Sequence, residues 1–146
     1  MVFLGEIQNE QITPYYHASD VFALPSIARS EAFGIVQLEA MACGVPVVNT
    51  NLPSGVPFVS LDGVTGLTVP PADPGALAAA LNLLLDQPER RAQYGEAAKR
   101  RVGLEFTVEV MTRRVLDLYR EVLDGPAPAT GRGQRSVKPT GQTTLG

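Results

Sequence analysis

Four short apolar runs, each closed by a glycine, a proline or a polar residue, alternate with segments of helical spacing in the first half of the chain. VFLG (2–5), VFALP (21–25), PVVN (46–49) and LTV (67–69) read as buried strands. NEQITPYYHAS (9–19) between the first two reads as a helix, with Ile12, Tyr15 and Tyr16 as its apolar face and Pro14 near its first turn. GIVQLEAMAC (34–43) reads as another, with Ile35, Leu38 and Ala42 at helical spacing and Gly44 as its stop. Parallel strands require a crossover connection, and a helix is the usual one. The pattern therefore predicts an α/β fold with a parallel sheet. The segment TNLPSGVPFVSLDGVTG (50–66) reads as turn-rich.

The second half is helical. Asp73-Pro74 places an N-cap and a first-turn proline ahead of ALAAALNLLL. Pro88 opens a second helix to about Val102. Thr107 caps a third to about Leu123, striped by Met111, Val115, Leu118 and Val122. Residues 125–146 hold five Gly and three Pro and almost no large apolar group, so they are expected to form a disordered tail after a domain at 1–124.

Composition excludes several classes. The chain of 146 residues is 45% hydrophobic and 18% charged, which fits one globular domain. Arg132, Arg135 and Lys138 of the tail face no acid there. With those three of the twelve cations set aside, nine face all fifteen acids, so the body has no nucleic-acid footprint. No apolar run approaches the ~18 residues of a membrane span, and Met1 leads straight into VFLG without a signal-peptide pattern. The single cysteine, Cys43, excludes an internal disulfide and suits a reducing compartment.

The chemistry concentrates in SEAFGIVQLEA (30–40), which follows the second strand. In open parallel sheets ligands bind beyond the carboxyl ends of the strands. The N–H groups of about Phe33 to Val36 open a helix and have no partner within it, and with the helix dipole they favour an anion such as a phosphate. Gly34 allows close backbone approach. Glu31 stands ahead of the helix start and Glu39 along it, eight positions apart, and carboxylates accept hydrogen bonds from sugar hydroxyls. Were the stretch wholly helical it would span roughly 12 Å, a match to a nucleotide-sugar. Acids near a helix N-terminus are also favoured by the dipole alone, so spacing by itself leaves both readings open.

The segment YYHASDVFALPSIARSEAFGIVQLEAMACGVPVV (15–48) resembles the C-terminal nucleotide-binding domain of retaining GT-B glycosyltransferases, the set called group 1 or family 4. The matching residues are Glu31, Phe33, Gly34, Glu39, Ala40, Met41, Ala42, Gly44 and Pro46, and DGVTGLTVPPADPGALAAAL (62–81) is similar to the family's next block. The resemblance covers about residues 1–124. It implies transfer of a sugar from a nucleoside-diphosphate sugar to an acceptor hydroxyl, with retention of configuration and without a metal. It also implies Glu31 near the transferred sugar, the amides of Phe33, Gly34 and Ile35 on the donor, and Glu39 on the ribose. An acceptor sugar or glycolipid, a cytoplasmic setting and peripheral association with a membrane's inner face are further expectations.

By the same resemblance, the acceptor-binding domain and the first two strands of this one are expected to lie outside the chain, as is a Gly-Arg segment with a following lysine. VFLG, VFALP, PVVN and LTV would then be strands three to six of a partial Rossmann-like sheet, with VFALP an exposed edge. A weakly stable fragment that turns over only with the missing half, supplied as a longer chain or a partner chain, is expected. A non-catalytic nucleotide-sugar-binding module, an inactive truncated product, and another GT-B enzyme such as an epimerase are the alternatives. Outside the motif, His17 and Cys43 read as structural, Arg29 as a solvated loop cation or a phosphate contact. Ser26 and Ser30 are open between capping and donor contact, and Pro53-Ser54-Gly55 between a plain turn and a turn near the donor.

Overall fold

A computed structural model describes residues 1–125. The elements run α1 (Asn9–His17), β1 (Phe22–Leu24), α2 (Ile35–Ala42), β2 (Val47–Thr50), α3 (Val56–Val59), β3 (Gly66–Val69), α4 (Pro74–Asp86), α5 (Pro88–Glu105) and α6 (Val108–Asp124). The three strands form one parallel sheet in the order β1-β2-β3. Phe22 pairs with Val47, and Val47 with Gly66, so the registers start level. The expected disordered tail lies, apart from Gly125, outside the described residues.

The central strand organises the core. All four residues of β2 are buried. Successive side chains of a strand point to opposite faces. Val48 therefore packs with Val69, Ala80, Leu84 and Tyr94 on the side of α4. Val47 packs with Met41, Val59 and Ala98 on the side of α2. A third cluster, Tyr16, Ala40 and Val45, joins α1 to the back of α2.

The polar residue that follows those valines in the strand decides more than either. Asn49 is 1% exposed and Gln37 of α2 is wholly buried. Asn49 Nδ2 donates to Gln37 Oε1 at 2.9 Å and to the Val56 carbonyl at 3.1 Å. Gln37 Nε2 donates to the carbonyls of Phe33 (3.2 Å) and Val56 (3.3 Å). Thr68 Oγ1 donates to Asn49 Oδ1 at 2.7 Å. One network thus ties α2, β2, α3 and β3, and no buried side-chain polar atom among the described residues lacks a partner.

Three expectations are corrected. VFLG is not a strand: residues 1–8 form no regular element, and Val2 and Phe3 are more than 80% exposed. With no neighbour to complete the hydrogen-bond ladder, a four-residue apolar run has no reason to extend into a sheet. The buried face of α2 is Gln37, Ala40 and Met41 rather than Ile35, Leu38 and Ala42; Ile35 and Ala42 are exposed and Leu38 half-buried. The helix turns its amide inward because the network above satisfies it. The turn-rich segment 50–66 contains a short helix, α3, with Gly55 before it and Pro57 in its first turn.

The remaining helices follow their caps. Asp73 accepts from the Ala76 N–H at 2.9 Å and Thr107 from Val110 at 3.3 Å. β1 is an edge of the sheet, half-buried throughout. On α6 the stripe Met111, Val115, Leu118 and Val122 is present but exposed, between 42% and 70%.

Replacing Gln37 by leucine keeps the volume and orphans the Phe33 carbonyl and one hydrogen-bond direction of Asn49. Each buried polar group left unpaired costs about 1–3 kcal/mol. A fall in unfolding free energy of that size is expected in urea titration, with the slope unchanged.

Candidate functional site

The loop that carries the motif leaves the carboxyl end of β1 and is held at three points. Thr50 Oγ1, at the end of β2, donates to the Ser26 carbonyl at 2.6 Å. The Gly55 N–H donates to the Ala32 carbonyl at 2.7 Å. Gln37 Nε2 grips the Phe33 carbonyl. The turn Pro53-Ser54-Gly55 therefore backs the motif loop: a Cβ on Gly55 would lie 2.7 Å from Phe33 Cδ2 and 2.8 Å from the Ala32 oxygen. Only a residue without a side chain permits that approach.

Phe33 is held from the other side. Its ring meets Phe106 edge-on at 6.2 Å, and Phe106 meets Phe58 at 5.9 Å. Arg101 lies over both Phe58 and Phe106, at 5.5 and 5.2 Å. Its guanidinium donates to the carbonyls of Phe58 and Val59 and pairs with Glu105 at 2.6 Å. The end of α5 thus braces α3 and, through Phe106, the motif loop.

Gly34 is the N-cap of α2, with φ +73° and ψ +59°. An L-residue pays about 1–2 kcal/mol for that left-handed conformation. A Cβ there would also stand 2.7 Å from Leu24 Cδ2 and from Gln37 Nε2. Gly34 is required by its own backbone and packing, in addition to any ligand approach. Among the described residues, the N–H groups of Phe33, Gly34, Ile35 and Val36 donate no hydrogen bond. They border a hollow of about 340 Å³ lined by residues Ser30 to Val36, Glu31 included. Glu31 is half-buried, and its own N–H donates to the Ala28 carbonyl at 3.1 Å.

Glu39 lies elsewhere on α2. It is exposed and lines a second hollow of about 410 Å³ with Asn9, Thr13, Tyr16 and Cys43 among its neighbours. Since α2 begins only at Ile35, the helical span to Glu39 is about 6 Å and the stretch before it is loop. The two acids therefore flank the helix start without sharing one hollow. Tyr16 Oη donates to Glu39 Oε2 at 2.9 Å. Burial first, then that hydrogen bond and the charge of Glu39, push the phenol up to about 12. Burial likewise pushes the Cys43 thiol up. Cys43 is half-buried at the C-cap of α2.

His17 is exposed in the last turn of α1, and Arg29 is exposed in the loop. Ser30 lines the first hollow, while Ser26 offers its carbonyl to Thr50. Sequence reading passed over Gln37, Asn49 and Phe106, and took Tyr16 only for the apolar face of its helix. A glutamine inside the apolar half of a short helix is the signal for the first; nothing in the sequence marks the others as partners. Among the described residues, no helix is long and apolar enough to cross a membrane.

The fold is α/β, with a parallel three-stranded sheet and a helix start left open beyond it, and comparison with known proteins gives the family. The description "glycosyl transferases group 1" matches residues 1–101, and the chain belongs to that family. It is 33% identical over 124 residues to the O-antigen chain mannosyltransferase C of Escherichia coli, covering 85% of this chain and 33% of that protein. It is 37% identical over 123 residues to a GDP-mannose-dependent monoacylated alpha-(1-6)-phosphatidylinositol monomannoside mannosyltransferase of Corynebacterium glutamicum, covering 81% and 32%. The chain spans about a third of the length of the curated relatives it matches. Among solved structures, sucrose-phosphate synthase of Thermosynechococcus elongatus superposes with a TM-score of 0.75 at 36% identity, covering 86% of this chain and 31% of that one. Anabaena HepE in complex with UDP and glucose superposes at 0.70 and 26% identity, covering 82% and 32%.

Gly34→Ala combines the left-handed backbone with two contacts at 2.7 Å. A loss of at least about 1–2 kcal/mol in unfolding free energy is expected. Tyr16 holds its proton more tightly folded than unfolded, so its contribution is complete below about pH 10 and is lost as pH rises toward about 12. Melting temperatures followed from pH 9 to 12 should therefore fall less steeply in Tyr16→Phe than in the native chain.

Proposed function

We propose that this chain supplies the donor side of a retaining glycosyltransferase that moves a sugar from a nucleoside-diphosphate sugar to an acceptor hydroxyl. The observation that carries the reading is the free N-terminus of α2, opened by Gly34 between two glutamates. The unpaired amides of Phe33, Gly34 and Ile35 suit the sugar and diphosphate of the donor. Glu31, beside them, would stand against the transferred sugar, and Glu39 would accept from the ribose hydroxyls. That Anabaena HepE is seen with UDP and with UDP-glucose supports a nucleotide donor.

The hollow at residues 30–36 has no cationic side chain in its lining. A leaving diphosphate is stabilised mainly by positive charge or oriented donors. We therefore propose that turnover requires cations from beyond this hollow, and that the chain by itself binds donor without transferring it. The reading assigns those cations to protein side chains and uses no metal. The acceptor would be a sugar or glycolipid, met in the cytoplasm at a membrane's inner face.

Titration of the chain with UDP- and GDP-sugars, and of a longer form that turns over, tests this. Glu39→Ala should weaken donor binding about 10-fold or more, the value of a charge-assisted hydrogen bond. Glu31→Gln should lower transfer at least about 100-fold while donor affinity changes little. Unchanged donor affinity in Glu39→Ala would refute the assignment. Epimer formation in place of transfer would sink the reaction class.

A further inference from the structure

We infer that Tyr16 is a positioning residue for the ribose-binding carboxylate: its hydroxyl holds one oxygen of Glu39 and leaves the other to accept from the nucleotide. The inference rests on the reading of Glu39 given above. Glu39 is exposed on the surface of α2, where a flexible carboxylate has many rotamers. The one hydrogen bond its side chain accepts among the described residues is the 2.9 Å bond from Tyr16. Tyr16 is itself immobile by packing. It is 6% exposed, meets Phe22 edge-on at 5.8 Å, and belongs to the cluster with Ala40 and Val45. A core side chain thus delivers its polar tip to a surface acid on the neighbouring helix. Both residues line the same hollow of about 410 Å³.

The chemistry fits a partner of hydroxyl type. An ionised carboxylate offers about four acceptor directions, and Tyr16 takes one. The phenol stays protonated, and so remains a donor, throughout the neutral range. A carboxylate fixed before binding loses less freedom on binding. Vicinal ribose hydroxyls would then meet an acceptor already in place. A bond serving only to satisfy a buried phenol would give the fold its partner and the ligand nothing.

The test is calorimetric titration of the full chain with UDP and with 2′,3′-dideoxy-UDP, in native, Tyr16→Phe, Glu39→Gln and doubly substituted forms. Tyr16→Phe keeps the ring and its packing. It is expected to weaken UDP binding about 3- to 10-fold and dideoxy-UDP binding less than about 2-fold. Glu39→Gln should lose more, and adding Tyr16→Phe to it should lose nothing further. Full UDP affinity in Tyr16→Phe beside a loss in Glu39→Gln would overturn the positioning role and leave the nucleotide reading standing. Equal losses for both ligands in Tyr16→Phe would make the bond merely structural. Native affinity in Glu39→Gln, or no binding of UDP or GDP by the native chain, would overturn both.

Discussion

The buried amide pair Gln37–Asn49 is the constraint on which the site depends. Two uncharged polar side chains sit in the core at almost zero exposure, and they are tolerated because they bond to one another and to the backbone around them. Their bonds reach Phe33, Val56 and Thr68, so the first turn of α2, the short helix α3 and the strand β3 are set by one network. Such networks are directional where apolar packing is not. Valines 47 and 48 hold the layers together; the amides decide the depth and rotation at which α2 enters the sheet.

That rotation shapes the candidate site. Turning Gln37 inward turns Ile35 and Val36 outward and leaves their N–H groups at the border of a hollow. The loop before them is fastened by Thr50 and Gly55, and Phe33 is braced by Phe106. The backbone is thereby ordered before any anion arrives, which lowers the cost of binding one. The bracing runs from the end of α5, directly ahead of α6, whose apolar stripe stays uncovered. α6 is capped by Thr107 but buries none of its residues, so little of the packing that usually stabilises a helix supports it.

Much of the fold was legible because it depends on local rules. Asp73 and Thr107 cap where polar residues precede apolar periodicity, and VFALP, PVVN and LTV pair as strands because short buried runs between helices have few alternatives. VFLG obeys the same local rule and is not a strand, because a strand exists only with a neighbour to pair with. The face of α2 was misread for a related reason. Periodicity counts apolar residues, and it cannot see that a glutamine inside the helix has an asparagine waiting twelve residues away.

The amino-acid sequence alone determined the chemistry available at this site: two glutamates, a glycine that tolerates a left-handed backbone, and a helix start beyond a strand. Those are properties of residue types and their order. Tertiary structure alone decided that Glu31 and Glu39 line separate hollows, that Tyr16 holds Glu39, and that the turn at Gly55 backs the motif loop. Each is a contact between segments distant along the chain. Their geometry follows from how the helices seat on the sheet, and no local spacing carries it.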